Sequence, residues 1–213
     1  MADLAWRRAS LRAVEEAGPA ERAVRLDLLA AAQNGGAAHD ALTDFWRRAL
    51  TAPVSEAMFA AFVTAAVPEP PADPTPTQVV AYAELFALAR DRELTRILQA
   101  MTRANAELVA DEGRLLDGIG EACVLARPMV QAGEPPRAGP ALDRFVAVHA
   151  VARGGSDTPP FRRLLLAHVA ADRDPRMRRY WRLAAEAGGD PATPGAAHLW
   201  LTDALARSVG ERP

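Results

Sequence analysis

The sequence predicts an all-α protein of about ten helices packed as an orthogonal, globular multi-helix bundle. Alanine, the strongest helix former, is the most frequent residue, and isoleucine occurs only at Ile97 and Ile119. No stretch of about four to eight residues alternates between apolar and polar side chains as a half-buried strand requires. Half of the 213 residues are apolar, a balance that is typical of a folded globular core.

Glycine and proline positions divide the chain into about ten helical segments. The predicted helices cover residues 3–17, 19–33, 39–50, 55–66, 76–89, 91–128, 141–153, 159–171, 175–187 and from 194 onward. The segment 91–128 follows the helical period throughout. It is either one long helix or two helices joined near Gly113.

Several boundaries carry specific signals. The run Asn34-Gly35-Gly36 is expected to end the second helix through left-handed glycines, and Gly188-Gly189 to end the penultimate one. The run Thr75-Pro76-Thr77-Gln78 combines an N-cap, a first-turn proline and a capping box. Gly118 and Gly120 would weaken their helix unless a neighbouring helix packs closely there.

A proline-rich segment gives the clearest internal boundary. Residues 67–76 contain five prolines and cannot continue a helix. The predicted organisation is therefore an N-terminal helical segment 1–66, a linker 67–76 and a C-terminal helical region 77–209. We expect the first and last of these to pack as one unit.

Charge and cysteine content exclude several classes of protein. The 25 basic residues, all arginine, and 27 acidic residues leave a net charge of -2, which argues against direct contact with nucleic acid. The arginine-rich segment 173–182 is interpreted as the solvated face of an amphipathic helix. A single cysteine, an N-terminus without a signal-peptide core and the absence of a membrane-length apolar run together predict a cytoplasmic protein without a membrane partner.

The residues that usually carry chemistry do not form a recognisable catalytic or metal motif. His39, His149, His168 and His198 each lack a second ligand at helical spacing, so no metal and no cofactor is expected. Cys123 falls on an apolar stripe, where a thiol behaves as a small hydrophobe. The chain is therefore predicted not to be an enzyme, and an enzyme of unrecognised type is the most remote alternative.

The aromatic residues are few and are set among small side chains. Large side chains in an alanine-rich core either fill the gaps or surround a cavity that a flat hydrophobic ligand can enter. Core filling is expected for any one of them, whereas a histidine, a tyrosine hydroxyl and a tryptophan N–H would orient a ligand in such a pocket. The candidate ligand-binding residues are Trp46, Met58, Phe62, Tyr82, Phe86, Met101, Phe145, His149 and Trp181.

Three stretches of the sequence carry a resemblance to a known family: Val67 to Tyr82, Gly139 to Phe145 and Asp172 to Trp181. They resemble the C-terminal effector region of MerR-type transcriptional regulators. The resemblance covers residues 40–208 and rests on helix boundaries. It implies a helical domain that senses a small molecule, a homodimer in the full regulator and, as in the TipA-type domains, antibiotics bound between helices. Residues 1–66 lack the Gly-Val-Ser turn and the Thr-Leu-Arg-Tyr-Tyr wing entry of the family, so DNA binding is not carried over and no ligand residue transfers by motif.

The sequence therefore leads to the hypothesis of an effector-sensing domain that binds a hydrophobic or aromatic, antibiotic-like molecule in an interhelical pocket. One alternative is a helical protein-interaction or scaffold domain without a ligand. Another is a free-standing drug-binding resistance protein. A cavity on the order of several hundred Å³ lined by the named aromatics would favour the sensor, and a solid core would favour the scaffold.

Overall fold

A computed structural model describes residues 2–51 and 55–210 and confirms the all-α fold. This part of the chain contains no strand, and none of its helices is both long and apolar enough to span a membrane. The α-helices are α1 (Ala2–Glu15), α2 (Pro19–Ala31), α3 (Gly35–Ala49), α4 (Glu56–Ala66), α5 (Pro76–Ala89), α6 (Arg92–Leu108), α7 (Glu112–Gln131), α8 (Pro140–Ala152), α9 (Pro159–His168), α10 (Pro175–Gly188) and α11 (Pro194–Ser208). A short 3-10 turn, Ala170–Arg173, connects α9 to α10.

The helices bury two main hydrophobic cores. The first core is built from α1 to α6 together with α10, and α5 packs against α1, α2, α3 and α10 at its centre. The second core lies among α7, α8, α9 and α11. Helix α11 also contacts α4 and α10, which connects the two cores. Helices on both sides of the proline-rich segment thus share the first core, and the second core begins with α7, after which α10 returns to the first.

Helix ends follow the predicted capping signals at several positions. The Thr75 hydroxyl accepts a hydrogen bond from the Gln78 amide, and the Gln78 side chain accepts one from the Thr75 amide, which completes the capping box. Gly189 ends α10 in the left-handed region, with φ of 72°. These helix ends are therefore determined by residues within one turn of the boundary.

The expectation for Asn34-Gly35-Gly36 is wrong. The Asn34 side chain accepts a hydrogen bond of 2.8 Å from the Ala37 amide, so this run begins α3 instead of ending α2. Neither glycine has a positive φ. A Cβ at position 35 would lie 2.7 Å from the Pro70 side chain and 2.9 Å from the Trp6 ring, so glycine is required by close packing.

Two helices, α6 and α7, occupy the segment for which one or two were expected. The break lies at residues 109–111, where the Asp111 carboxylate caps α7. The expected end at Pro128 is wrong, because α7 continues to Gln131. Pro128 removes one amide donor, and the residue one turn earlier, Val124, lies on the exposed face of the helix, where water can satisfy the released carbonyl. Helix α9 ends at His168, before the expected residue 171, because the 3-10 turn follows it.

Close packing between α7 and α8 explains one of the two glycines in α7. A Cβ at Gly118 would lie 2.4 Å from Cγ1 of Val148, so the two helices approach each other at this point. A Cβ at Gly120 would meet nothing within 4 Å. The absence of a side chain at Gly118 therefore allows α8 to pack close to α7, whereas Gly120 has no such role.

Candidate functional site

The nine candidate ligand-binding residues lie in different parts of the two cores. Phe145 and His149 are on α8 beside the second core, and Met58 contacts Gly113 at the start of α7. The others belong to the first core or pack against it: Trp46, Phe62, Tyr82, Phe86, Met101 and Trp181. They do not surround one common space, and their role in ligand binding stays a prediction.

Five rings of the first core, which we call the aromatic cluster, pack directly against one another; they are Phe45, Trp46, Phe62, Tyr180 and Trp181. Trp46 stacks on Trp181 with ring centres 5.7 Å apart and meets the edge of Phe62 at 4.9 Å. Its Nε1 donates a hydrogen bond of 2.7 Å to the Tyr180 hydroxyl, which donates one of 3.0 Å to the carbonyl of Ala66. This arrangement is a filled core with most of its polar atoms bonded.

The polar groups that the sequence assigned to orienting a ligand are mostly bonded within the protein. The Tyr82 hydroxyl donates to the carbonyl of Pro68. Burial raises the pKa of Tyr82 and of Tyr180, so both hydroxyls stay neutral. Among these groups, only Nε2 of His149 and Nε1 of Trp181 are buried without a hydrogen-bond partner.

A second group of polar side chains, which we call the polar junction, lies where helices of both cores meet. It consists of Asn105 on α6, His149 on α8, Arg153 just after α8, and His168 at the end of α9. The Arg153 guanidinium donates 2.9 Å hydrogen bonds to Nδ1 of His149 and to Oδ1 of Asn105. It also donates to the main-chain carbonyl of His149 at 3.3 Å, where a helix C-terminus favours a cation.

The hydrogen bond from Arg153 determines the tautomer of His149. A guanidinium has only donors, so Nδ1 of His149 must accept and the neutral ring carries its proton on Nε2. Burial, and then the charge of Arg153, lowers the pKa of His149 to about 3, which keeps the ring neutral. His149 is only 4% exposed, and neither its Nε2–H nor the Nε–H of Arg153 meets an acceptor in the described part of the chain. Each unmet buried donor costs about 1–3 kcal/mol.

The charge of Arg153 is also not neutralised by any acid within residues 2–51 and 55–210. Its bonded partners are a neutral imidazole, an amide and a main-chain carbonyl, and burial lowers its pKa. The arginines of α10 are different, since Arg176 pairs with Asp174 at 2.9 Å and Arg178 pairs with Asp203. His168 next to Arg153 has a buried Nδ1 without a partner, and burial followed by the Arg153 charge lowers its pKa.

A charged pair that the sequence did not reveal lies beside the junction. Nε2 of His198 is 3.2 Å from a carboxylate oxygen of Asp172. Burial opposes the charge on His198, but the Asp172 carboxylate, with a smaller contribution from Cys123, raises the pKa of His198 to about 10. Cys123 is only 7% exposed, unlike the accessible thiols of cysteine nucleophiles. His198 and Asp172 come together through the tertiary fold, and no spacing in the sequence indicates the pair.

Two hollows on the surface of the described part of the chain stand out, and none of the nine candidate residues lines either of them. A hollow of about 440 Å³ between α5 and α10 carries both signs of charge, including Glu84 and Arg179, which pair at 2.8 Å. A hollow of about 310 Å³ between α7 and α8 is more apolar and is lined by Leu115, Val148 and Val151. Val151 is 62% exposed.

Comparisons with protein-family models, curated proteins and solved structures found no match to this chain. The resemblance to MerR-type effector regions therefore stays a prediction. Within residues 2–51 and 55–210, no group of three or more His, Cys, Asp or Glu side chains is arranged to hold a metal ion. The polar junction is the candidate functional site, because it combines buried unmet donors with an unneutralised cation.

Proposed function

We propose that the chain is the effector-sensing domain of a MerR-type transcriptional regulator and that it binds a small molecule at the polar junction. The observation that carries this proposal is the pair of buried donors, Nε2 of His149 and Nε of Arg153, which have no acceptor. Because such donors destabilise a folded chain, the occurrence of two of them on directly bonded side chains favours a role in binding.

The surroundings of the junction suit a ligand with an aromatic part. The ring of Phe145 meets His149 edge-on, with ring centres 4.6 Å apart, and also meets His198 at 5.6 Å. Of the nine residues that the sequence suggested, Phe145 and His149 therefore support the hypothesis of a hydrophobic or aromatic, antibiotic-like effector. The aromatic cluster in the first core has a structural role in this proposal.

Transmission of the signal would use the position of the junction between the two cores. Asn105 belongs to a helix of the first core, whereas His149 and His168 belong to helices of the second. A ligand that bonds to both sides favours one relative arrangement of the helices, and only such a difference in affinity shifts a conformational equilibrium. In a full regulator, which we propose to be a cytoplasmic homodimer, DNA would be contacted by residues outside this chain.

The proposal is tested by a thermal-shift screen with a broad panel of aromatic antibiotics. Binding to the native state raises the melting temperature in proportion to the logarithm of ligand concentration. We expect hits whose shift is lost in the His149→Leu variant and kept in the Phe86→Leu variant, which alters a half-buried ring of the first core. No shift with any compound at saturating concentration would contradict the proposal.

A protein-interaction or scaffold domain is the second candidate, and it is favoured by the direct ring-to-ring packing of the aromatic cluster. The apolar hollow beside Val151 is the surface that such a domain would use. Loss of self-association or of partner binding in a Val151→Asp variant, with no ligand shift in the unmodified protein, would favour this function. A free-standing drug-binding protein is the remaining alternative. It would give the same increases in melting temperature with ligand as the sensing domain, but it would not be part of a longer chain that binds DNA.

A further inference from the structure

The polar junction carries more positive charge than its acids can neutralise. Among the described residues, Arg153 bonds to no carboxylate, and Asp172 is already paired with His198. The charge of Arg153 acts on both His149 and His168, so these groups share one positive field. The junction is therefore complementary to a negative group.

The hydrogen-bonding capacity of the junction agrees with its charge. Nε2 of His149 and Nε of Arg153 are both N–H donors, because Arg153 occupies the acceptor nitrogen of His149. Nδ1 of His168 is a third buried nitrogen without a partner, and a neutral imidazole can present a proton there. Two N–H donors and one nitrogen that can carry a proton match a group that only accepts hydrogen bonds.

We infer that the junction binds the anionic group of the ligand, a carboxylate or a phosphate, an inference that rests on the proposed sensing function. The His149 side chain is buried, whereas Arg153 and His168 are partly exposed and accessible from solvent. The Phe145 ring beside His149 places an aromatic part of the same ligand next to its anionic group. The ligand class is thus an aromatic acid or an aromatic phosphate.

The test measures binding of benzoate, acetate and inorganic phosphate to the whole chain by calorimetry. We expect benzoate or phosphate to bind. The anion with the higher affinity shows whether the anionic group of the ligand is a carboxylate or a phosphate. Arg153→Met should weaken that binding about ten- to a hundredfold, the effect of losing one hydrogen-bonded charge. Arg163→Met, which removes an exposed arginine from α9, is the matched control and should leave the affinity unchanged.

A second readout does not depend on any variant folding correctly. In the unmodified protein, the side-chain nitrogen resonance of His149 Nε2 should shift on addition of the anion, as its N–H gains an acceptor. An unshifted His149 resonance at saturating anion would overturn the inference, as would binding that survives Arg153→Met.

The outcome also separates this inference from the proposed function. If neutral or cationic aromatic compounds raise the melting temperature while none of the three anions binds, the inference fails and the sensing function stands. If no compound of any charge binds, both fail.

Discussion

The aromatic cluster around Trp46 and the polar junction around His149 are both buried, yet they differ in how their polar atoms are satisfied. In the cluster, the indole of Trp46 and the hydroxyl of Tyr180 form a continuous hydrogen-bonded chain that ends on the carbonyl of Ala66, whereas Nε1 of Trp181 meets no acceptor among the described residues. In the junction, His149 and Arg153 bond to each other and each keeps a buried N–H without an acceptor.

The difference indicates separate roles for the two regions. A buried group that is fully bonded and packed contributes to stability, whereas a buried donor without a partner opposes it. Removing a side chain from the aromatic cluster should therefore destabilise the fold, whereas replacing the polar side chains of the junction by apolar ones should not. Four predictions test this comparison, and the first is expected to have the largest effect.

Tyr180→Ala should lower the free energy of unfolding by about 3–5 kcal/mol, because it empties the space of a fully buried ring. Tyr180→Phe keeps the ring and should cost about 1–3 kcal/mol, since Trp46 and Ala66 lose their bonding partner. Urea denaturation of both variants measures the two effects. A cost for Tyr180→Ala below that of Tyr180→Phe would show that the ring does not fill a packed core.

The position of the junction depends on the contact between α7 and α8. Gly118→Ala should lower the free energy of unfolding by about 1–3 kcal/mol, because its Cβ would overlap Val148 and push α8 away. Gly120→Ala in the same helix is the control and should raise stability by about 0.5–1 kcal/mol, since nothing opposes the added methyl group. Thermal denaturation gives both values, and equal effects would contradict the close approach of the two helices.

The two histidines on either side of Phe145 should give opposite pH dependences of stability. The pKa of His198 is raised from 6.5 to about 10, so its contribution is complete below pH 6.5 and is lost as the pH rises toward 10. The pKa of His149 is lowered from 6.5 to about 3, so its contribution is complete above pH 6.5 and is lost as the pH falls toward 3.

One proton changes stability by at most about 1.4 kcal/mol per pH unit, which urea titrations at several pH values can resolve. His198→Gln should flatten the alkaline loss of stability, and His149→Leu should flatten the acidic loss. If His198→Gln leaves the alkaline slope as steep as before, the Asp172 pair does not hold the charged ring.

The smallest effect is expected for the double variant His149→Leu with Arg153→Met. Replacing buried polar partners together by apolar groups of similar size is often neutral or stabilising, so the free energy of unfolding should change by less than about 1 kcal/mol or rise. Guanidinium denaturation of the double variant and of each single variant checks this. A large loss of stability in the double variant would show that the junction, like the aromatic cluster, stabilises the fold.

Local signals in the sequence were sufficient for most of the fold. The Thr75 capping box, the glycine at the end of α10 and the apolar stripes predicted helix positions, because each depends on residues within one or two turns. The predictions at Asn34 and Pro128 were wrong because asparagine and proline each occur in two different structural settings. Asparagine followed by glycine suits a helix end as well as a helix start, and proline is tolerated where its missing bond faces water.

The candidate site was less accessible from the sequence. His149 was among the nine candidate residues, whereas Asn105 was not, although it falls on the apolar stripe of α6 with Leu94 and Leu98, which is a signal for a buried polar contact. Arg153 lies one turn after His149 but is one of 25 arginines, so its burial could not be distinguished from the exposure of the others. The bonds that join Asn105 to Arg153 and Asp172 to His198 cross between separate helices.

By itself, the sequence determined the helical class, most helix boundaries and the absence of a continuous run of basic charge, because propensity, capping and composition act locally or additively. Only the tertiary structure decided which aromatic rings fill a core and which polar groups lack a partner. Burial and hydrogen bonding depend on residues that are distant in the chain and meet only when the helices pack. For that reason the sequence could suggest a ligand but no place for it, whereas the proposed binding place and the proposed charge of the ligand rest on contacts between packed helices.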